Sequence, residues 1–285
     1  MLVILPRPAL RPFIGRLWAS TSASRPAESR EHVLPTGQMH MVFRLAGKPL
    51  RLFADADDRL GRRIAAPVLG GARTSFYIKE AAEPVVSVGV ELLPGAPQAL
   101  FGVGAGELAG RHTPLSELWG RTADSLLQQL AEETDPQRQL VRLESSLAAH
   151  FPSEATLHPS VLCALAAFAR PGRIDDVVLE SRYSHRGFIA LFRQATGVSP
   201  KRYARLMRFQ ALLASMRAHP GASLGELAYG AGYSDQAHMT REFREFAGVT
   251  PSQYRGLAPA AAHHVALPGP QEGQFHSRRT GTRKL

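Results

Sequence analysis

Two clusters of side chains about fifty residues apart are suited to one kind of chemistry. The first holds His185, Arg186 and Ile189; the second holds Gln236, His238 and Arg241. An arginine fork matches guanine O6 and N7, and a glutamine amide matches adenine N6 and N7. An imidazole reaches a base or a phosphate, while an isoleucine can touch a thymine methyl but forms no hydrogen bond. Around them stand Ser184, Arg193, Lys201, Ser234 and Arg244, hydroxyls and cations of the kind that hold phosphate oxygens. The first set is therefore read as facing base edges, the second as facing phosphates.

These residues sit in a segment that repeats itself. The run from Ile174 to Tyr203 is answered by the run from Leu224 to Tyr254: Tyr183-Ser184 by Tyr233-Ser234, Phe192-Arg193 by Phe243-Arg244, and Gly197-Val198-Ser199-Pro200 by Gly248-Val249-Thr250-Pro251. Helix, turn, helix and stop recur in one order, as in a duplicated supersecondary unit. In the second copy Leu224, Leu227 and Ala228 share one helical face. Gly230 and Gly232 are expected to supply the bend, Ser234 to cap the next helix, and Asp235 to place negative charge in its first turn. Met239, Phe243 and Phe246 form the buried stripe, Gly248 the left-handed stop, and Thr250-Pro251 the start of another helix. The first copy follows with Ile174, Val177 and Val178, a bend at Glu180-Ser181-Arg182, Ser184 as cap, and Phe188, Leu191 and Phe192 as core. Its reading helix carries apolar Ile189 and Ala190 outward, so Arg186 is expected to supply most of its polar readout.

The doubled pattern closely resembles the DNA-binding domain of AraC/XylS-type transcription regulators. The resemblance rests on Gly232-Tyr233-Ser234-Asp235-Gln236, Arg241-Glu242-Phe243-Arg244 and Gly248-Val249-Thr250-Pro251, with Ser184, Leu191-Phe192-Arg193 and Gly197-Val198-Ser199-Pro200 in the first copy. It covers roughly 171–256. It implies two helix-turn-helix units joined by one long helix, placed at 200–218, with Tyr203, Leu206, Phe209-Gln210 and Leu213 on its packing face. It also implies double-stranded DNA as partner, with activation as the default sign of regulation.

Charge agrees. Residues 170–255 carry 13 Lys+Arg against 7 Asp+Glu, so +6 of the chain's net +10 falls on the repeat. Such clustering is the electrostatic footprint of a phosphate-binding surface. A length of 285 residues suggests two domains. One cysteine, Cys163, excludes an intramolecular disulfide, and its apolar neighbours Leu162, Leu165 and Phe168 suggest a small buried hydrophobe. No apolar run is long enough to span a bilayer, and the N-terminal MLVILPRPALRPF is too short and proline-broken for a secretory signal. A cytoplasmic protein is expected, with no membrane partner.

The N-terminal half reads as β. Short apolar runs at 32–34, 39–45, 50–54, 66–69, 75–78 and 85–92 are separated by turn residues, and Val86 to Leu92 alternates with its valines on one face. Residues 1–113 are thus expected to form a β sandwich or barrel. Helical periodicity follows over 114–169, and 257–285 reads as a disordered basic tail holding His263-His264, Arg278-Arg279 and Arg283-Lys284. The fold class is α+β in two domains, with an all-α double helix-turn-helix at the C-terminal end. Leu34-Pro35-Thr36-Gly37 with Met41-Val42-Phe43, Val88-Gly89-Val90-Glu91-Leu92 and Pro114-Leu115-Ser116-Glu117-Leu118-Trp119 resemble an uncharacterised β-rich domain found before the helix-turn-helix in one branch of AraC-type regulators. That resemblance implies a sensor of a small-molecule effector, a homodimerisation module, or both; RNA polymerase is a further candidate partner.

Catalytic readings find little support. His32, His40 and His112 lack the short spacing of a metal site, so no metal and no cofactor are expected. Phe101-Gly102-Val103-Gly104-Ala105-Gly106 lacks phosphate-loop spacing and reads as a flexible loop. Two functions remain: a sequence-specific regulator that is not an enzyme, and a DNA-binding protein with an enzymatic or metal-dependent N-terminal domain.

Overall fold

The computed structural model describes residues 1–22, 29–81, 84–152, 156–168 and 184–267. The first helix of the first repeat, with Ile174, Val177, Val178 and the Glu180-Ser181-Arg182 bend, lies outside the described residues, as do the basic pairs Arg278-Arg279 and Arg283-Lys284. The fold is α+β, with a β-rich N-terminal region and a helical C-terminal region.

Two antiparallel sheets form the N-terminal region. One runs β1-β2-β9-β4-β7-β10, where β1 is Leu2–Ile4, β2 Ile14–Thr21, β4 Met39–Ala46, β7 Val68–Gly70, β9 Val86–Leu92 and β10 His112–Pro114. The other runs β11-β3-β8-β5-β6, where β3 is Arg30–Val33, β5 Leu50–Phe53, β6 Arg62–Ile64, β8 Tyr77–Glu80 and β11 His264–Leu267. The alternation in β9 does what the sequence suggests: Val88, Val90 and Leu92 are buried on one face. In β4, Met39, Met41 and Phe43 share that side, leaving His40, Val42 and Arg44 on the other. A register shift between Ile14 and Arg16 lets Ile14 and Leu17, three residues apart, both turn inward.

Helices cover the apolar face. After α1 (Ala96–Phe101), α2 (Ala105–Leu108) and α3 (Ser116–Trp119) come α4 (Arg121–Glu132) and α5 (Pro136–His150), whose Leu126, Leu130, Leu140, Leu143 and Leu147 are buried on the sheet. α6 (Pro159–Phe168) carries the same apolar cluster to α7 (His185–Thr196) through Phe168, Phe188 and Phe192. α8 (Pro200–Ala218) then joins two cores. Its Tyr203 belongs to this first cluster. Its Leu206, Phe209, Leu212, Leu213 and Met216 belong to a second, shared with α9 (Leu224–Gly230), α10 (Gln236–Ala247) and α11 (Pro251–Leu257).

Several expectations are corrected. Phe101–Gly106 is not one flexible loop: Gly102, at φ +68°, closes α1, and Gly104 stands at the start of α2. Cys163 lies on the exposed face of α6, because Val161, Ala164 and Phe168 take the inward positions. The segment expected to begin a disordered tail at 257 is ordered as far as Leu267. There β11 pairs with β3 over four residues and buries Val265 completely. Among the described residues, no helix is long and apolar enough to cross a membrane, and no group of histidine, cysteine and carboxylate side chains is placed to hold a metal ion.

Candidate nucleic-acid interface

In the first head the local sequence builds the expected helix. Ser184 is its N-cap, its hydroxyl oxygen accepting from the Gly187 N–H at 3.2 Å, and Gly197 at φ +87° closes it. With Phe188 and Phe192 fully buried, His185, Arg186 and Arg193 are exposed and Ile189 is half-buried. Lys201 lies exposed in the first turn of α8. Gly197 also permits a close approach to the N-terminal region: a side chain there would meet the Ala72 methyl at 3.0 Å and the Ala105 carbonyl at 3.2 Å.

The second head differs in its turn. Ser223 and Glu226 form a reciprocal capping box on α9. Gly232, at φ +78°, supplies the bend by itself; Gly230 remains the last helical residue with no positive φ. The cap of α10 is Asp235 rather than Ser234, its carboxylate accepting from the His238 N–H at 2.6 Å. That hydrogen bond, with burial opposing it and the Ser234 hydroxyl assisting, holds the Asp235 carboxyl below its usual range. Ser234 Oγ lies 3.2 Å from Asp235 Oδ2 and 3.0 Å from His238 Nδ1, and the His238 ring stands edge-on to Tyr233. His238 is thus folded back on the turn, its side chain 34% exposed. Gln236, Ala237 and Arg241 lie on the exposed face, with Arg244 one turn further on. Thr240, Arg241, Arg244 and Glu245 line a shallow concavity there.

Beneath this face lies an ion-pair network between α10 and α8. Glu242, 3% exposed, accepts from Arg205 at 2.7 Å and from Arg208 at 3.1 Å, both on α8. Arg205 also pairs with Glu245, and the Arg208 guanidinium lies 4.6 Å from the centre of the Tyr233 ring. Hydrogen bonds to Glu245 and, against burial, to Glu242 push the Arg205 guanidinium above its ordinary value. The signal was present: Glu242 follows Met239 at i+3, on the core phase, where a charge needs a partner from the facing helix.

The N-terminal region grips both ends of this assembly. Gly37, at φ +83° in the Leu34-Pro35-Thr36-Gly37 turn, sits on α8, where a side chain would meet Met207 Cε at 2.8 Å. Gln210 donates to the Pro35 carbonyl at 2.6 Å and pairs with His263 Nε2 at 2.6 Å. Gly248, the stop of α10, packs on His32 and Phe76, and His32 Nδ1 donates to the Ala247 carbonyl at 2.9 Å. Burial holds His32 below its ordinary value.

Residues 179–256 match a helix-turn-helix domain, and residues 2–114 match a domain of unknown function (DUF6597). Over 86 residues the chain is 29% identical to the Msm operon regulatory protein of Streptococcus mutans, a stretch covering 29% of this chain and 30% of that protein. The chain therefore matches less than a third of the length of that curated relative. Among solved structures it is similar to ToxT of Vibrio cholerae, with a TM-score of 0.45 at 11% identity, covering 84% of this chain and 98% of that one. It is also similar to the C-terminal domain of AraT, a response regulator of Geobacillus stearothermophilus, with a TM-score of 0.34 at 18% identity, covering 43% and 98%. The likeness is thus in two separate stretches, a helix-turn-helix domain over residues 179–256 and the DUF6597 domain over residues 2–114.

Proposed function

We propose that this chain is a sequence-specific regulator, not an enzyme, that lays α7 and α10 into successive major grooves of double-stranded DNA. The observation carrying this reading is α8, a helix of 19 residues buried at Pro200, Tyr203, Leu206, Phe209, Leu212, Leu213 and Met216. A helix packed along its length in this way is a rigid bar, and one head hangs at each end. Gln236 and Arg241 are the base readers of the second head, Arg186 and Ile189 those of the first, with His185 at the helix start. His238, held by the turn, acts through the shape of the helix start. Ser184, Arg193, Lys201 and Arg244 are placed on phosphates; Ser234, engaged with Asp235 and His238, contributes less there. The same bar is seated on the N-terminal region through Gly37 and Gln210, a route by which an effector or a homodimer contact would reach the heads. Activation through RNA polymerase is the default mode. Selection of bound sequences from a random duplex pool tests the reading. Two unequal motifs one helical turn apart are expected; recovery of a single motif, or of none, would overturn it.

A further inference from the structure

The second candidate site lies between the two sheets, on the face of β4 turned away from the apolar core. Val42, on that face, meets Leu50, Leu52, Ile64 and Val68. Its neighbours on the same face are polar, His40 and Arg44, and further polar groups close the gap. Tyr77 of one sheet stands edge-on to His112 of the other at 4.7 Å between ring centres. The Arg73 guanidinium lies 5.0 Å from the centre of the Tyr77 ring and 2.8 Å from His112 Nδ1. Tyr77, Arg44 and His40 lie deep enough for burial to dominate their titration, yet each keeps some accessible surface.

Positive groups outnumber carboxylates around this gap, although the field of Glu80 reaches Arg44 and that of Glu31 reaches Tyr77. Glu31 is engaged by Lys79 and His264, each at 2.7 Å, and Glu80 by Arg51 at 3.3 Å. Among the described residues, no carboxylate forms an ion pair with Arg44, Arg62 or Arg73. Arg73 Nε is buried and has no hydrogen-bond partner among them. Burial first, then the fields of Arg73, Arg62 and Lys79, push His112 down to about 3, and burial pushes Tyr77 up to about 12. Both are therefore neutral near pH 7. Since arginine can only donate, His112 Nδ1 accepts from it and the ring hydrogen sits on Nε2. The groups that remain are donors and positive charges, and a buried charge with an unmet donor is unfavourable until an anion answers it.

We propose that this polar gap between the sheets binds a compact oxyanion, a carboxylate or a phosphate, held by Arg73 and His112 within the positive field of Arg44 and Arg62. The assignment rests on the reading of the N-terminal region as a sensor and gives its ligand a chemical class. The test is calorimetric titration of the full chain at fixed ionic strength, with inorganic phosphate in one arm and succinate in the other. At least one should saturate at one site per chain, and which of them does so separates the two sources of the anion. Arg73→Met should weaken binding about tenfold or more, and Arg62→Met, at an exposed position, by a few-fold. Arg138→Met, at an exposed position on α5, should leave it unchanged, which excludes a general charge effect. No saturable binding of either anion would overturn the proposal, as would binding indifferent to both Arg73→Met and Arg62→Met. If Arg73→Met does not fold, Arg62→Met decides. DNA affinity is measured with and without the bound anion: binding that leaves DNA affinity unmoved keeps the site and removes the sensor reading.

Discussion

The two heads share one plan but are joined to the rest of the molecule by different chemistry. The first is continuous with the N-terminal core: Phe168, Phe188, Phe192 and Tyr203 pack ring on ring and lead without a break into the leucines of α4 and α5. The second has a separate core, to which the N-terminal region adds only Leu34 and Phe76, and it also meets that region through polar contacts. These are His32 on the Ala247 carbonyl, Gln210 on the Pro35 carbonyl, His264 on Glu31, and the backbone ladder of β11 with β3. An apolar junction is non-directional and close-packed, so it holds one arrangement over a wide range of conditions. A junction of hydrogen bonds can be released one group at a time. The first head is thus expected to hold its seat more firmly, and the second, with fewer apolar contacts to that region and more polar ones, to be the one whose docking responds to conditions.

The largest effect should come from the two cores. Phe192→Ala and Phe243→Ala should each lose about 3–5 kcal/mol. Hydrogen exchange should then separate them: the first variant loosens the N-terminal sheets with its head, the second loosens α9 to α11 and their contacts with α8 while α4 and α5 stay protected. Equal loosening everywhere in both variants would erase the distinction. Next, Glu242→Gln removes the carboxylate shared by Arg205 and Arg208. The arginines stay partly hydrated at 29% and 28% side-chain exposure, so the loss should be about 2 kcal/mol, below that for a fully buried pair. Denaturant unfolding would measure it, and a change within about 0.5 kcal/mol would show the network to be incidental.

On DNA, Arg241→Ala should cost ~1–3 kcal/mol and relax preference at one base pair. Uniform weakening on all sequences would instead make Arg241 a phosphate contact. The first head, with Ile189 outward and Arg186 as its main polar reader, should contribute less sequence information. A site profile equally informative in both halves would contradict that. The smallest effect is acid loosening of the second head. Burial holds His263 down at about 4 in the folded chain, against about 6.5 when exposed. Its folded value is depressed, so the released form binds more protons between those values, and docking weakens as pH falls from about 6.5 towards 4. The slope is at most about 1.4 kcal/mol per pH unit. Glu31 does not offset this. Burial opposes its charge, but His264 and Lys79 hold it well below the usual carboxylate range, so it stays ionised throughout that window. His40 and His112, held at about 4 and about 3, give the sheets a similar acid sensitivity. Exchange at β11 amides should therefore rise between pH 7 and 5, after correction for intrinsic rates, while α7 stays protected.

Local signals made the heads legible and left their docking hidden. The i, i+3, i+4 stripes, Ser184, Gly197, Gly248 and Thr250-Pro251 each act within a few residues, and each is found where its chemistry requires. The cap of α10 shifted by one because Ser234 and Asp235 are both good caps, and the acid won the position. β6 was missed because Arg62-Arg63 carries no apolar alternation. β11 was missed because its composition resembles a tail and its partner β3 lies more than two hundred residues away. Leu34-Pro35-Thr36-Gly37 was visible as a motif, but its role as the seat of α8 depends on Met207 and Gln210, which no local pattern connects to it.

If α8 holds the two heads as a rigid bar, the helical phase of the DNA between them must matter. With both heads fixed on α8, their reading helices should enter grooves about one turn apart, ~34 Å or ~10 bp, on one face of the duplex. Inserting five base pairs between the two contacted segments of a mapped site turns the second groove away from the protein. A rigid α8 predicts a large loss of affinity, largely restored by a ten-base-pair insertion only if the chain or the DNA can bend to span it. Unchanged affinity after the five-base-pair insertion would contradict the account, because it would mean that the heads are flexibly tethered or that only one of them reads DNA.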